Sequence, residues 1–455
     1  MRKLRFLFFY FILIFARYKK RIVLAVFLIL LLGFGIYSLN ESFKKETISQ
    51  GIVGTHTQDD LPGVVTQLLS QGLVKIGKDG QAEPNLVENW QVGNDGKLYT
   101  FKLRKDLSWI DGTLVSAKDI SISIPDAQVS TPDDQTIEFK LVDSFSPFPT
   151  LLSRPVFKKN TNLGLGPYKI ADIQKDIIFI KKITLKPIRQ NLPEVIIKFY
   201  PNEKIAKTAL KLGEVNSLLG VGDIDDLITQ RPFSSFSQVT YSRIVTIFYN
   251  TADPVLSDEN FRLALSYSAP SIKNEIEAKT SIPPTSWAFN PYVKDFLDNE
   301  EQALKSFKKV QNGKDTPIIL TVTTPLKSIG EQVVEAWKKI GINAILRVES
   351  GLPQDFQALL ISQKIPPDPD QYSLWHKLGQ INISKLSSPR IDKDLEDGRK
   401  LQDLQQRKQK YADFQKVLHD SSPATFLYYP KYNVVFLKKK EETLKKILDM
   451  QLEYF

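Results

Sequence analysis

The histidines and clustered acids of this chain are the residue types that could bind a metal or perform acid–base chemistry. His56, His376 and His419 are far apart in the sequence, and none lies in the spacing of a metal-binding motif. The acids of GVGDIDD, residues 220–226, are typical of a solvated loop. The chain contains no cysteine, which excludes disulfides, thiolate catalysis and lipid attachment through an N-terminal cysteine. We therefore expect neither a metal site nor a cofactor.

Motifs of the common enzyme classes are also missing from the sequence. It contains no G-x-S-x-G, no H-E-x-x-H, no P-loop and no dinucleotide-binding G-x-G-x-x-G. We therefore predict a binding protein rather than an enzyme.

Loops that follow predicted strands supply the first candidates for ligand contact. His56 and Gln58 follow the first predicted strand, where open α/β sheets present ligand-binding loops, although a surface histidine is the simpler interpretation of His56. In LGLGPYK, Gly164 and Gly166 carry no Cβ, so the backbone beside Tyr168 can approach a ligand closely. A tight connection between strands explains the same glycines equally well.

A second group of candidates lies in the second half of the chain. Asn250 ends a predicted buried strand and either hydrogen-bonds a ligand or caps the turn at 253–254, which we favour. Trp287, Tyr372 and Trp375 are aromatics in predicted loops or short turns, and such rings can stack on a ligand when a cleft closes. A place in the core is the competing interpretation for each ring.

The positive charge of the chain belongs to its N-terminus. The formal net charge is +10, but residues 1–50 hold nine Lys/Arg and two Asp/Glu, whereas residues 51–455 hold 52 and 49. Because the positive and negative charges of residues 51–455 nearly cancel, this part of the chain lacks the concentrated basic surface that nucleic-acid binding needs. We therefore expect no nucleic-acid partner.

The same N-terminal region predicts a membrane anchor. Residues 22–40 are nineteen residues without a charge, and at about 1.5 Å per residue such a helix nearly spans a bilayer. Basic residues precede this segment, so residues 1–21 should be a cytoplasmic or interfacial segment and the body should lie outside the plasma membrane as a single-pass protein. Removal of residues 1–40 as a secretory signal is the alternative, which the second apolar stretch at 6–16 and the lack of a cleavage motif disfavour.

The exported body alternates predicted strands and helices. Strict alternation or a buried apolar run predicts strands at 97–104, 136–142, 195–201, 244–250 and 424–430. Helices follow several of these strands, and Asp258 is the predicted N-cap of one. The pattern predicts an α/β fold with a β-rich insertion near residues 75–145.

These segments together resemble the family 5 extracellular solute-binding proteins, the peptide- and nickel-binding components of ABC importers. The resemblance extends over most of the exported chain, and its pieces occur in family order. They are EPNLVENWQVGNDGKLYTFKLRKDLSWIDGTLVSAKDI (83–120), TPDDQTIEFKL (131–141), PFPTLLSRPVF (147–157), GLGPYKI (164–170), ALKLGEVN (209–216), FYN and DENFRLALSYS (248–268), VVEAWKKIGINAIL (333–346) and PPDPDQY (366–372).

The resemblance implies a type II periplasmic-binding fold, in which two α/β lobes joined by crossing strands close on a ligand. Lobe I would comprise residues 51–75, 145–248 and 426–455, with residues 76–144 as the β-rich insertion, and lobe II residues 249–425. In particular, the strand at 424–430 should pair within the lobe that contains 195–200. We expect a monomer that passes a small or peptide-like ligand to an ABC permease.

The W-x-D-G motif at Trp109–Gly112 predicts a tight turn, because Gly tolerates positive φ and Asp111 can bond back to the backbone. Trp109 should be a packing anchor of the insertion. In the family a longer helix follows at A-x-D, but here the alternation after Asp119 and Pro125 are not helical. We interpret the insertion as shortened to a small strand-rich cap.

One departure from the family concerns the ligand. Peptide-binding members carry a tryptophan and an aspartate just before the D-P step, and the aspartate anchors the α-ammonium of the peptide. Setting Asp368 on that step puts Ser362 and Ile365 at those two positions. Since an apolar side chain cannot pair with an ammonium, ligands with a neutral or blocked end are expected, unless Asp368 itself serves as the anchor.

The sequence therefore favours an anchored solute-binding protein of an ABC importer. The alternative is the same fold used as an anchored sensor or interaction domain without transport. Neighbouring permease and ATPase genes would favour the first interpretation.

Overall fold

The computed structural model describes residues 46–311, 313–351 and 353–452. Within these residues no helix combines the length and the apolar character that a membrane span requires. The predicted transmembrane segment, residues 22–40, and the basic segment before it lie outside the described residues.

Twenty-one strands form five sheets among the described residues. The strands are β1 (Thr47–Val53), β2 (Val74–Ile76), β3 (Ala82–Pro84), β4 (Val87–Gly93), β5 (Leu98–Leu103), β6 (Ile120–Ser121), β7 (Ala127–Ser130), β8 (Thr136–Leu141), β9 (Phe157–Lys158), β10 (Tyr168–Asp176), β11 (Phe179–Pro187), β12 (Glu194–Tyr200), β13 (Ser217–Val221), β14 (Phe233–Val239), β15 (Arg243–Tyr249), β16 (Ile276–Glu277), β17 (Ile318–Thr323), β18 (Ala344–Glu349), β19 (Ala358–Lys364), β20 (Ala424–Tyr429) and β21 (Lys431–Leu437).

Eleven α-helices connect and cover these strands in the part of the chain that is described. They are α1 (Gly63–Leu69), α2 (Phe148–Leu151), α3 (Glu203–Lys211), α4 (Asp225–Ile228), α5 (Glu259–Ser268), α6 (Glu300–Lys309), α7 (Lys327–Lys339), α8 (Tyr372–Trp375), α9 (Pro389–Lys400), α10 (Leu404–Ser421) and α11 (Glu441–Leu452). The predicted cap of α5 is confirmed, since the Asp258 side chain accepts a hydrogen bond from the Asn260 amide at 2.8 Å.

A seven-stranded sheet in the order β10-β11-β12-β1-β13-β21-β14 forms lobe I. The apolar faces of α1 and α11 pack on one side of it, with Val65, Leu68 and Ile447 fully buried. Gln50 of β1 and Gln451 of α11 exchange two amide hydrogen bonds of 2.9 and 2.8 Å in this core, so neither buried amide is left unpaired.

A six-stranded sheet in the order β16-β20-β15-β19-β17-β18 forms lobe II. The expectation that the 424–430 strand pairs within the other lobe is wrong, because β20 pairs with β15 and β16. The reason is its burial on both faces: Leu427 lies in the core shared with α5–α7, whereas Phe426 and Tyr429 lie in the core beside α10. Strand β15 also belongs to this sheet, although residues up to 248 were expected in lobe I.

The chain crosses between the two sheets at two adjacent places. One crossing, residues 240–242, connects β14 to β15, and Pro430 connects β20 to β21. The Thr240 amide donates to the Pro430 carbonyl at 2.9 Å, and the Ile365 amide to the Ser242 carbonyl at 2.8 Å. Both connections are short and are hydrogen-bonded to each other, and we refer to them together as the hinge.

The insertion is strand-rich, as predicted. A four-stranded antiparallel sheet, β4-β5-β8-β7, and the β2-β3 hairpin enclose an aromatic core that includes Phe101 and Phe139. Trp109 is 2% exposed within this core, which confirms it as a packing anchor. The predicted turn is present: Gly112 has φ +84° and its amide donates to the Trp109 carbonyl at 2.8 Å. Between the Trp109–Gly112 turn and β6, the helical structure is limited to one 3₁₀ turn, Ala117–Asp119.

Candidate ligand cleft

A cleft of about 1040 Å³ opens beside the C-terminal end of β1. Its walls come from the loop at 58–61, from α1 and from the segment 153–162 that leads from the insertion back to lobe I. Lobe II contributes Lys364, the last residue of β19, three residues after the buried Ile361. The cleft is therefore built on lobe I and reached by lobe II next to the hinge.

The charges that line the cleft are of both signs. Asp59 and Asp60 are exposed on the loop after β1, and Arg154 and Lys364 are exposed on other walls. Lys158 already forms an ion pair, because its ammonium is 2.7 Å from the Asp111 carboxylate of the insertion. That hydrogen bond lowers the pKa of Asp111 to about 2. The cations that remain exposed, Arg154 and Lys364, come from lobe I and lobe II respectively.

Of the two candidates after β1, Gln58 lines the cleft and His56 supports the loop. Gln58 accepts a hydrogen bond from Lys175 at 2.8 Å. The His56 ring nitrogen Nδ1 lies 3.1 Å from the carbonyl oxygen of Asp60, and its ring packs 5.1 Å from that of Phe199. His56 thus shapes the loop that carries the acids.

The glycines of LGLGPYK pack against a helix end. A Cβ on Gly166 would lie 2.5 Å from the Leu68 carbonyl oxygen, and one on Gly164 would lie 2.1 Å from the Leu69 carbonyl oxygen. Tyr168 is fully buried, and its hydroxyl donates to the Pro193 carbonyl at 2.9 Å. These contacts favour the interpretation of this segment as a tight connection between strands over its interpretation as a ligand contact.

Asn250 occupies a capping position at the end of β15. Its amide donates to the Phe356 carbonyl at 3.1 Å, and its side-chain oxygen accepts from the Ala252 amide at 3.2 Å. This arrangement favours the turn-capping interpretation over ligand contact.

The remaining candidates lie at a second place, where lobe II faces the insertion. Asp368 is 2.7 Å from Arg407, and Asp370 is 2.9 Å from Arg399, so these four residues form an ionic cluster. All but Arg399 are nearly inaccessible in their side chains. Burial raises the pKa of Asp370, although Arg399 opposes this effect. Because Arg407 already neutralises it, Asp368 is poorly suited to anchor a ligand amine.

Aromatic rings sandwich the arginines of the ionic cluster. The Arg407 guanidinium lies 5.0 Å from the Trp287 ring centroid, and that of Arg399 lies 4.2 Å from the Tyr372 centroid. Trp375 is 2% exposed, and its indole N–H donates to Gln371 at 2.9 Å. The structure therefore brings Trp287, Asp368 and Tyr372 together, but in the ionic cluster rather than in the cleft.

The insertion is hydrogen-bonded to the C-terminal end of α9. The Ser146 amide donates to the Arg399 carbonyl at 2.8 Å, and the Ser144 hydroxyl donates to the Lys400 carbonyl at 2.8 Å. The Ser146 hydroxyl adds a bond of 3.1 Å to the same Arg399 carbonyl. These three bonds, together called the clasp, connect the insertion on lobe I to lobe II.

Ile365, which the sequence comparison predicted at the position of the family's amine-anchoring acid, is 3% exposed and packs in the lobe II core. Ser362 accepts a hydrogen bond from Arg243 at 3.0 Å. Lys364, the residue that does reach the cleft, was missed, although its place at the end of a strand beside Ile365 could have signalled it.

Comparison with known proteins agrees with this architecture. The family model for bacterial extracellular solute-binding proteins, family 5 Middle, matches residues 121–382. The chain is 21% identical to a probable D,D-dipeptide-binding periplasmic protein of Escherichia coli, over 84% of this chain and 87% of that protein. It is 22% identical to the dipeptide-binding protein of the same organism, over 82% and 85%.

Solved structures share the fold. A Campylobacter jejuni protein in complex with Ni(L-His) superposes with a TM-score of 0.71 at 20% identity, over 87% of this chain and 95% of that one. A substrate-binding protein of an ABC transporter from Listeria monocytogenes gives a TM-score of 0.73 at 18% identity, over 86% and 94%.

Proposed function

Because the chain belongs to the bacterial extracellular solute-binding proteins of family 5, we propose that it captures a small ligand in the cleft between its lobes for an ABC permease. The observation that carries the proposal is the cleft of about 1040 Å³, walled by lobe I and reached by Lys364 of lobe II. A ligand that touches both walls stabilises the closed arrangement of the lobes. No bond is made or broken in this mechanism.

The residues next to the hinge suggest what kind of ligand end is accepted. Ile365 is buried and apolar, and Lys364 places an ammonium at the cleft. A free α-amine at this wall would meet no acid from lobe II and would be repelled by Lys364. The proposed ligand is therefore peptide-like, with a neutral or acylated end and a carbonyl or anionic group beside Lys364.

Calorimetry with a tripeptide and its N-acetyl form tests this ligand class. The acetylated form should bind at least about thirtyfold more tightly, the equivalent of ~2 kcal/mol. Lys364→Glu should remove this preference, whereas Ile345→Asp, at an exposed strand position of lobe II, should not change it. Tight binding of the free tripeptide that acetylation weakens would contradict the proposal.

The proposed location is the outer face of the plasma membrane, with residues 22–40 as a retained anchor. The support is the charge asymmetry on the two sides of that segment. Protease added to intact spheroplasts should degrade the body and spare the N-terminal segment. Complete protection of the body would show that it faces the cytoplasm.

A further inference from the structure

The hairpin formed by β10 and β11 ends in an exposed apolar tip. Ile177, Ile178 and Phe179 are 93%, 59% and 44% exposed, three consecutive large apolar residues at the end of two nine-residue strands. Exposed apolar residues are ordinary when they are single, but a contiguous group at a protruding turn indicates a contact surface.

The backbone conformation at this tip makes an isoleucine at position 177 unusual. Ile177 has φ +56°, in the left-handed region that β-branched residues rarely adopt. The other non-glycine residues with positive φ in the described chain are Asn94, Asp95, Asp126, Asn160, Asn274, Asp298, Lys385 and Ser422. All of these are polar, and most are the Asn or Asp that such turns favour. An isoleucine here costs fold stability that an asparagine would not, so a role outside folding is indicated.

The strands that carry the tip are basic. Residues 168–187 contain five Lys/Arg and two Asp/Glu, an excess of three positive charges, which equals the excess of the whole of residues 51–455. Lys175 and Lys181 lie two residues from the tip on either side and are exposed. Asp176, which directly precedes the tip, is 2.8 Å from Lys181, and Lys175 donates to Gln58 at 2.8 Å, so the tip carries a net positive charge of one. Apolar side chains beside lysines suit the interface of an anionic bilayer, where the rings and alkyl groups enter the acyl boundary and the ammonium groups stay among the phosphates.

The position of the hairpin in lobe I permits this contact. Strand β10 is the edge of the seven-stranded sheet, and the tip lies beside the loop that follows β1, since the Ile180 amide donates to the His56 carbonyl at 2.8 Å. Only residues 41–46 separate the predicted anchor from β1, and a chain of that length reaches at most about 20 Å.

We propose that the Ile177–Phe179 tip inserts into the anionic outer surface of the membrane and orients the anchored body on it. This inference rests on the proposed location of the body outside the membrane. It is independent of which ligand the cleft binds.

The lack of cysteine allows a direct test in the full chain, reconstituted in vesicles of equal parts phosphatidylglycerol and phosphatidylcholine. Ile178→Cys carries an environment-sensitive fluorophore, and Ile345→Cys, at a position 49% exposed on an edge strand of lobe II, is the matched control. Brominated lipid should quench the label at 178 several-fold more than the label at 345. Vesicles of phosphatidylcholine alone should weaken this quenching. Equal quenching at the two positions would overturn the proposal, as would a response that depends on protein concentration without lipid, which would indicate self-association.

A second variant separates this role from folding. Ile177→Asn should raise the thermal midpoint of the protein, because asparagine tolerates the left-handed turn, while it lowers lipid quenching at the 178 label severalfold. Unchanged quenching in this variant would overturn the proposal. Calorimetry of the same variant should show unchanged ligand binding, and chains that remain in the supernatant after vesicle sedimentation would reveal a failed anchor instead.

Discussion

Gly166 illustrates a residue whose smallness is required by packing. A methyl group there would lie 2.5 Å from the carbonyl oxygen of Leu68 at the end of α1. We expect Gly166→Ala to lower the free energy of unfolding by about 1–3 kcal/mol, because the backbone must shift to admit the Cβ. Gly93→Ala is the control, since nothing lies within 4 Å of its added Cβ. Urea denaturation measures both, and equal effects would contradict this explanation.

Arg407 gives a second prediction, because it is the buried partner of Asp368. Arg407→Met should destabilise the protein by about 3–5 kcal/mol, since the Asp368 carboxylate would remain buried without a counter-charge. Arg390→Met is the matched control, because the Arg390–Asp413 pair is largely exposed and its loss should lower the stability far less. Similar shifts in the urea midpoint for the two variants would show that burial of the Arg407–Asp368 pair does not increase the cost of losing its arginine.

Residue types in the sequence indicated polar and aromatic candidates, but not which of them are exposed to the cleft. Gln58 lines the cleft because it follows a strand that ends there, and its contact with a ligand stays a prediction. Tyr168 and Trp375 are buried with their polar atoms bonded inside the protein, which favours the structural interpretation, and the sequence pattern of a loop aromatic does not distinguish such a partner from a ligand. Arg407 was missed because its partner Asp368 is distant in the sequence.

Strands with clear periodicity were predicted within one or two residues. Those expected at 97–104, 136–142, 195–201 and 244–250 are confirmed as β5, β8, β12 and β15. The sheet to which β20 belongs was predicted wrongly, because a strand buried on both faces carries no alternation that identifies its neighbours. Strand pairing depends on long-range contacts, and here two separate cores receive different side chains of the same strand.

The packing of α9 against α10 yields a prediction on pH. Burial, with the neighbouring Asp413, raises the pKa of Asp394 from 3.8 to about 6. Because the folded chain holds this proton more tightly than the unfolded chain, the contribution of Asp394 to stability declines as the pH rises from 3.8 to about 6. Asp394→Asn should therefore raise the thermal midpoint more at a pH well above 6 than at a pH near 3.8.

The control for this pH effect is a neighbour on α9. Asp397 lies 2.6 Å from Lys393 and 3.0 Å from Lys410, so Asp397→Asn should lower the midpoint at the higher pH. An equal gain from Asp394→Asn at both pH values would mean that its carboxyl titrates normally in the folded protein.

The clasp leads to a prediction about the molecule as a whole. Ser144→Ala combined with Ser146→Ala removes two of its hydrogen bonds, each worth about 1 kcal/mol. The population should shift towards an open arrangement of the lobes, so the radius of gyration from small-angle scattering should increase and ligand affinity should fall. Ser130→Ala is the control, because its hydroxyl bonds Glu138 within the insertion. Identical scattering from the two variants would show that the clasp does not hold the lobes together.

Strand β21 occupies an interior place in lobe I, between β13 and β14, although it is the last strand of the described residues. Lobe II, in contrast, needs only residues 243–429 for its sheet. Domains generally fold as they emerge. If the chain is exported from its N-terminus, the sheet of lobe II can therefore form while the sheet of lobe I still lacks β21 between β13 and β14. The cleft depends on lobe I, so under the proposed function ligand capture can begin only after β21 has left the translocation channel. Until then the backbone groups on the facing edges of β13 and β14 would be unpaired, and such edges can pair with other chains.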